Sequence, residues 1–373
     1  MKIGVIKETK NNEYRAGLVP SSVYELVKHG HKVYVETGLG LGIGITNAEY
    51  KKSGAIIVES VEELFKSAEL LIKVKEPTEK ECKLLTEKHT IFAYLHLAAL
   101  PIQTKLLQES KVTAIAYETV TSKYNTLPLL TPMSEVAGRL SVLSGSYFLL
   151  KHNNKGKGVL LNGVPGVPQG HVTIIGAGVV GTNALMTAVG IGAKVTVLDT
   201  NLVRLQQLDE LFGNKITTMY SSKHNLELSI AKADLVIGAV LIPGAVAPKL
   251  ISRQMLSLME KGTVLVDVAI DQGGCFATSK PTTYEDPTFE VDGIIHYCVA
   301  NMPGGTAKTS SFALNNATLP FILELANKGV HSAFAENQHL LNGLNVYQGK
   351  IAHAHLADSI GQECLNVTSL FIK

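Results

Sequence analysis

A chain of 373 residues with 46% hydrophobic and 18% charged residues has room for two domains, each with a substantial core. Its 34 Lys and Arg against 32 Asp and Glu leave a net charge of +2, and no block of five or more basic residues occurs, which argues against a nucleic-acid or acidic-membrane partner. Gly is plentiful at 33, Trp is absent and the mean hydropathy is +0.18, the profile of a compact α/β protein rather than a disordered one.

The four cysteines, Cys82, Cys275, Cys298 and Cys364, form no CxxC pair and have no His at metal-ligand spacing, so they read as buried free thiols in a reducing compartment. The start, MKIGVIKETK, lacks the apolar core of a signal peptide. Residues 172–193 are long and apolar enough to suggest a membrane span, but their glycines, Asn183 and the strand that follows fit a soluble protein better. A cytoplasmic location is expected.

In chain order, short Val- and Ile-rich runs alternate with amphipathic stretches, the pattern of βαβ units in a parallel sheet. The first half offers strands at 3–8, 32–38, 70–76, 90–96 and 113–118, with helices at 21–30, 47–53, 60–67 and 101–110. A helix-length segment, 134–153, then connects to a Gly-rich loop at 156–170. Strands at 171–176, 194–199, 234–240, 262–270 and 294–300 follow, with helices at 180–191, 201–212, 224–231 and 249–258, which makes a second doubly wound sheet. The tail from about 311 to 373 reads as helical with no strands of its own, returning to the first domain.

The second sheet carries Gly176-Ala177-Gly178-Val179-Val180-Gly181 directly between a strand and a helix, and Asp199 ends the next strand, 23 residues after Gly176. The first glycine permits the tight turn, the second lets backbone reach a pyrophosphate and the third allows close helix–strand packing. The helix N-terminus attracts phosphates. A carboxylate at Asp199 suits ribose hydroxyls and repels a 2′-phosphate, favouring NAD over NADP, although Arg204 lies five residues on.

Ligands of open α/β sheets bind beyond the C-terminal strand ends. In the first domain those ends carry Glu8 with Arg15 in the following loop, Lys75, His96 and Glu118; in the second they carry Asp199, Val240, Leu241, Asp271, Asn301 and Met302. Facing each other across a cleft, two cations, an imidazole and a carboxylate suit a small carboxylate substrate: Arg clamps it bidentately, Lys acts as a point charge and His titrates near neutrality. Taken singly each has a plainer reading: Arg15 and Lys75 as solvated charges, His96 as a core histidine, Asp271 as a turn former before Gln272-Gly273-Gly274.

Together, KETKNNEYR (7–15), LLIKVKEP (70–77), YLHLAA (94–99), LPLLTPMSEVAGR (127–139), IGAGVVG (175–181), VDVAIDQGGCF (266–276) and YCVANMPG (297–304) resemble the NAD-dependent L-alanine dehydrogenases nearly end to end. The resemblance implies a two-domain α/β fold: a flavodoxin-like substrate domain, residues 1–130 plus 308–373, and a Rossmann NAD-binding domain, residues 131–307, flanking a cleft. It implies substrate binding by Arg15 and Lys75, and catalysis by His96 and Asp271, without deciding which is the principal acid–base group. Around the cofactor NAD it adds Ser134, Gly176, Gly178, Val179, Val180, Gly181, Asp199, Arg204, Ser221, Val240, Leu241, Val268, Ala269, Ile270, Asp271, Lys280, Val299, Ala300, Asn301 and Met302.

The implied reaction oxidises L-alanine to pyruvate and ammonium through an iminium and a carbinolamine, in a homohexamer with no nucleic-acid or membrane partner. The chain departs from the family at Ala307-Lys308, where a Pro-Arg pair is usual, and at Lys328, which stands where some relatives pair a His with the residue matching Glu324 to bind magnesium; no metal is therefore expected. Alternatives from the same architecture are the nucleotide-binding part of a transhydrogenase, an amino-acid oxidoreductase with a larger cleft, and an NAD-holding redox sensor without turnover.

Overall fold

A computed structural model describes residues 1–151, 155–240 and 247–371. The chain divides into two compact units, Met1–Met133 with Thr306–Lys373, and Ser134–Gly305, the first division falling within the helix Thr131–Phe148.

The first unit begins with β1 (Lys2–Val5), β2 (Lys32–Glu36), β3 (Ile56–Val58), β4 (Leu70–Ile72), β5 (Thr90–Ala93) and β6 (Thr113–Ala116). The second unit contains β7 (His171–Ile175), β8 (Lys194–Asp199), β9 (Ile216–Tyr220), β10 (Leu235–Gly238), β11 (Val264–Asp267), β12 (Thr288–Val291) and β13 (Ile294–Tyr297). The tail adds β14 (Leu344–Tyr347) and β15 (Lys350–Ile351) to the first unit.

The first sheet runs β15-β14-β6-β5-β4-β1-β2-β3, parallel from β3 to β6. Without the three-residue edge strand β3, its parallel strands follow the flavodoxin-like order 2-1-3-4-5. The second runs β12-β13-β11-β10-β7-β8-β9, whose parallel strands follow the dinucleotide-binding order 3-2-1-4-5-6. Each sheet is covered on both faces. In β4, Leu70 and Ile72 enter one core and Leu71 the other; in β10, Leu235 and Ile237 oppose Val236 in the same way. Side chains this deeply buried contribute about 1.5–3 kcal/mol each, which is why strands wetted on neither face read as unbroken apolar runs.

Five strands escape the sequence reading. β3, β9 and β12 are edge strands with half-exposed residues; β9 and β12 have no apolar run to mark them, and β3 is only three residues long. The tail is not wholly helical: β14 pairs antiparallel with β6, and a two-residue turn at Gln348 and Gly349, φ +49° and +80°, returns the chain into β15. The expected helix at 249–258 is reduced to a 3-10 turn at Arg253–Leu258, because its first residues bond sideways, Leu250 N–H to the Cys275 carbonyl at 2.8 Å and Ala277 N–H to the Ile251 carbonyl at 2.8 Å. Three cysteines are buried free thiols as expected, whereas Cys364 is exposed.

Candidate functional site

In the first unit, the carboxylates of Glu8 and Glu118 occupy equivalent places beside adjoining strand ends. Glu8 accepts the N–H groups of Val74 at 2.7 Å and Lys75 at 3.0 Å, just where β4 leaves its ladder. Glu118 does the same past β5, accepting from Leu95 at 3.1 Å and from His96 at 2.6 Å. Behind Glu8 lies Lys73, fully buried, 2.8 Å from Glu8 and 3.5 Å from Glu81. Burial opposes the charge on Lys73, but Glu8 and Glu81 outweigh it and hold the ammonium pKa above its ordinary value. Lys75, half-buried, thus departs from a backbone fixed by an internal ion pair.

His96 has a left-handed backbone, φ +47° and ψ +38°, an unfavourable conformation for a residue with a Cβ and one held here by the Glu118 bond. Its ring stacks parallel to Tyr94 with centroids 6.0 Å apart, and its Nδ1 lies 3.7 Å from Glu118. The side chain is 48% exposed, so His96 is not a core histidine. Arg15, in contrast, is buried: Nε and Nη2 grip the Glu13 carboxylate at 2.7 and 2.5 Å, and Nη1 meets the Met133 sulfur at 3.0 Å. Burial disfavours its charge, yet Glu13 more than compensates and raises its pKa. Glu8 and Tyr94 both act electrostatically on Arg15, so Arg15, Lys75 and His96 gather along one edge of this sheet. The supporting Glu13, Lys73 and Tyr94 were not singled out from sequence. The recurring Glu directly after a strand run, as in VIKE and IAYE, is the signal for Glu8 and Glu118.

In the second unit, the switch point between β7 and β10 holds the glycine loop. Gly176 turns at φ +100°, and a Cβ on Gly181 would stand 1.8 Å from the Gly176 carbonyl oxygen. A Cβ on Gly178 would meet nothing within 4 Å, so that backbone faces open space. Gly178 also caps the helix Val179–Gly190 without any side-chain bond, leaving first-turn N–H groups at Val179 and Val180 for a ligand. The Asp199 carboxylate accepts from Ala177 N–H at 2.6 Å and Asn201 N–H at 2.8 Å, which locks it beside the loop. Arg204 reaches back to the Ala177 carbonyl at 2.9 Å and the Thr182 hydroxyl at 2.7 Å, so its guanidinium braces the loop. Open backbone donors, a tight third glycine and a fixed acidic acceptor are what a dinucleotide requires, and these residues could hold one.

Neighbouring strand ends complete this edge. Val240 packs against Gly176, and Ser221 follows β9. Ser134 is half-buried in the helix Thr131–Phe148, whose Arg139 bonds Asn183 at 3.0 Å. Leu241 lies outside the described residues. β11 stops at Asp267 rather than continuing to residue 270; Val268 and Ala269 lead into a 3-10 turn, Ile270–Gln272, which places Asp271 on an exposed turn instead of a strand end. Its carboxylate accepts the Asn301 N–H at 3.3 Å, and Asn301 is itself left-handed at φ +57°. Val299, Ala300 and Met302 flank it, the run tied down by Ala300 N–H to the Thr282 carbonyl and by the Tyr284 hydroxyl to the Met302 carbonyl at 2.5 Å. Lys280 sits over the Phe289 ring, 4.5 Å from its centroid.

No group of three or more His, Cys, Asp or Glu is placed to hold a metal among the described residues. Lys328 Nζ stands 3.0 Å from Glu324 and 2.8 Å from Glu336, so an ammonium fills that helical turn.

Residues 4–137 match the N-terminal domain, and residues 141–354 the C-terminal domain, of the alanine dehydrogenase/PNT family. The chain is 52% identical over 370 residues to an alanine dehydrogenase of Halomonas elongata, covering 99% of this chain and 100% of that one. It is 53% identical over 358 residues to an alanine dehydrogenase of Methanococcus maripaludis, covering 96% of each. A solved L-alanine dehydrogenase superimposes with a TM-score of 0.94 at 47% identity, over 97% of this chain and 99% of that one.

Proposed function

Because the chain belongs to the alanine dehydrogenase/PNT family, we propose that it catalyses the reversible NAD-dependent oxidative deamination of L-alanine to pyruvate and ammonium. The observation that carries this reading is the likeness to alanine dehydrogenases across both units, over 96–99% of the chain. The strand-end chemistry supports it independently.

In this reading the second unit is the nucleotide-binding domain, holding NAD through the glycine loop, Asp199 and the ends of β10, β11 and β13. NAD⁺ would supply the hydride acceptor. The chain's own residues do the rest. Arg15 and Lys75 hold the substrate carboxylate and carbonyl oxygen, Arg15 presenting a fork that Glu13 keeps oriented. His96 and Asp271 handle the protons: one must leave the amine, and water adding to the iminium must lose another before ammonia departs. Glu118 lies 3.7 Å from the His96 Nδ1 and orients the ring that carries out this transfer.

The acidic acceptor Asp199 and the committed guanidinium of Arg204 support NAD over NADP. Exposed Leu143 and Tyr147, four apart on one helix and followed by exposed Leu150, support self-association, which we assign to a homohexamer. No described helix is long and apolar enough to cross a membrane, in keeping with the proposed cytoplasmic location. A panel of L-alanine, L-serine and glycine, each with NAD⁺ and NADP⁺, tests the assignment: turnover should be fastest with L-alanine and NAD⁺, and preference for another pair would overturn it.

A further inference from the structure

The turn bearing Asp271 is fastened by a carboxylate that has no part in the chemistry proposed above. Asp267 ends β11, is 0% exposed and lies four residues before Asp271. Its Oδ1 accepts the Ala269 N–H at 3.1 Å; its Oδ2 accepts those of Cys275 at 2.9 Å and Phe276 at 3.3 Å, and the Ser279 hydroxyl at 2.5 Å. A carboxylate is tolerated away from water only where donors replace its hydration, and here every one of those donors comes from the loop that follows. The loop closes tightly on it: Gly274, at φ +74°, leaves only 2.6 Å between an added Cβ and Asp267 Oδ2.

Between the tied ends, 269 and 275, sits the turn that presents Asp271, closed by Gln272 N–H to the Ala269 carbonyl at 2.9 Å and Gly274 N–H to the same carbonyl at 3.0 Å. Further ties lie outside this carboxylate: Ala247 N–H donates to the Gln272 carbonyl at 3.1 Å, Leu250 N–H to the Cys275 carbonyl at 2.8 Å and Lys249 Nζ to the Gly274 carbonyl at 2.8 Å, and Thr278 shares a 2.7 Å hydrogen bond with buried His296. The backbone of Ile270–Gln272 is thus flanked on both sides by residues tied to one buried carboxylate.

We propose that Asp267 is a positioning residue for the reaction, acting through the loop backbone to fix where the Asp271 carboxylate stands; this rests on the function proposed above. The test is a double-mutant cycle on the full chain: Asp267→Asn and Ser279→Ala, each alone and combined with Asp271→Asn, reading kcat for L-alanine oxidation and NADH affinity. Asp267→Asn should lower kcat about 10- to 100-fold and Ser279→Ala about 3- to 10-fold, each by more than it weakens NADH binding. In the Asp271→Asn background neither should lower kcat further. Unchanged kcat in the single variants, or losses that multiply in that background, would overturn the proposal. If Asp267→Asn does not fold, Ser279→Ala completes the cycle alone, since it removes one donor to the same carboxylate. A wild-type chain that binds NADH but does not oxidise L-alanine would overturn both this proposal and the reading beneath it.

Discussion

Glu118 accepts the backbone N–H of His96 at 2.6 Å and lies 3.7 Å from the Nδ1 of the same residue. One carboxylate thus holds a left-handed backbone in place and faces the ring that this backbone presents. Glu118→Gln keeps the shape and an acceptor but loses the charge. It should lower kcat about tenfold, in the range of one charge-assisted hydrogen bond. Steady-state rates with L-alanine and NAD⁺ check this, and an unchanged kcat would leave Glu118 as a purely structural cap.

The glycine loop offers a contrast between two substitutions of the same size. Gly181→Ala drives a Cβ to within 1.8 Å of the Gly176 carbonyl, so it should destabilise the fold by about 1–3 kcal/mol or more, through overpacking. Gly178→Ala meets nothing within 4 Å, so it should leave thermal stability near wild type while weakening NADH binding at least tenfold. Melting curves with and without NADH separate the two. Undiminished NADH binding by Gly178→Ala would remove this loop from the nucleotide site.

Lys73 is a fully buried cation of the first unit. Lys73→Met leaves Glu8 and Glu81 without their buried partner and should cost about 3–5 kcal/mol of stability. Adding Glu8→Gln should recover part of that loss, because the uncompensated charge goes with it. Urea denaturation of the single and double variants measures the coupling, and simple additivity would mean that the pair is energetically independent.

His296 links stability to pH. It is buried, its Nδ1 bonded to the Ile294 carbonyl at 3.0 Å and its Nε2 to the Thr278 hydroxyl at 2.7 Å. Burial lowers its pKa more than the Ile294 bond and the charges of Asp267 and Asp292 raise it. As pH falls through about 6.5 the unfolded chain gains a proton that the native one refuses, so this contribution is complete above that value and is lost below it, down to the depressed native pKa. His296→Gln should flatten the fall in urea midpoint between about pH 7 and 5.5. An unchanged slope would assign the acid sensitivity elsewhere.

Much of this architecture was legible from residue patterns. Strands buried on both faces, such as those around Leu70–Ile72 and Leu235–Gly238, announce themselves as apolar runs, and the glycine fingerprint carries its own spacing. Edge strands do not: Ile216–Tyr220 is half wet and Thr-rich, and the hairpin at Gln348-Gly349 lies within a helical tail. At the site, the exposed or half-buried residues Lys75, His96 and Asp271 could be named from their strand positions, as could the supporting Glu8 and Glu118, whereas the deeper supports could not. Glu13, Lys73 and Asp267 are polar groups within apolar surroundings whose partners are set by the fold. The run TVLVDVAI illustrates the difference. Read as one strand, it draws attention to Asp271 beyond its end, while the chain in fact leaves the sheet at Asp267, inside the run.

The central claim is tested most directly by incubating the purified chain with L-alanine and NAD⁺ at alkaline pH and following NADH, pyruvate and ammonium together. The account predicts that all three appear in equal amounts, and that Asp271→Asn loses about 10²- to 10⁴-fold in rate while still binding NADH. Absence of NADH above background from L-alanine, with the nucleotide demonstrably bound, would contradict it.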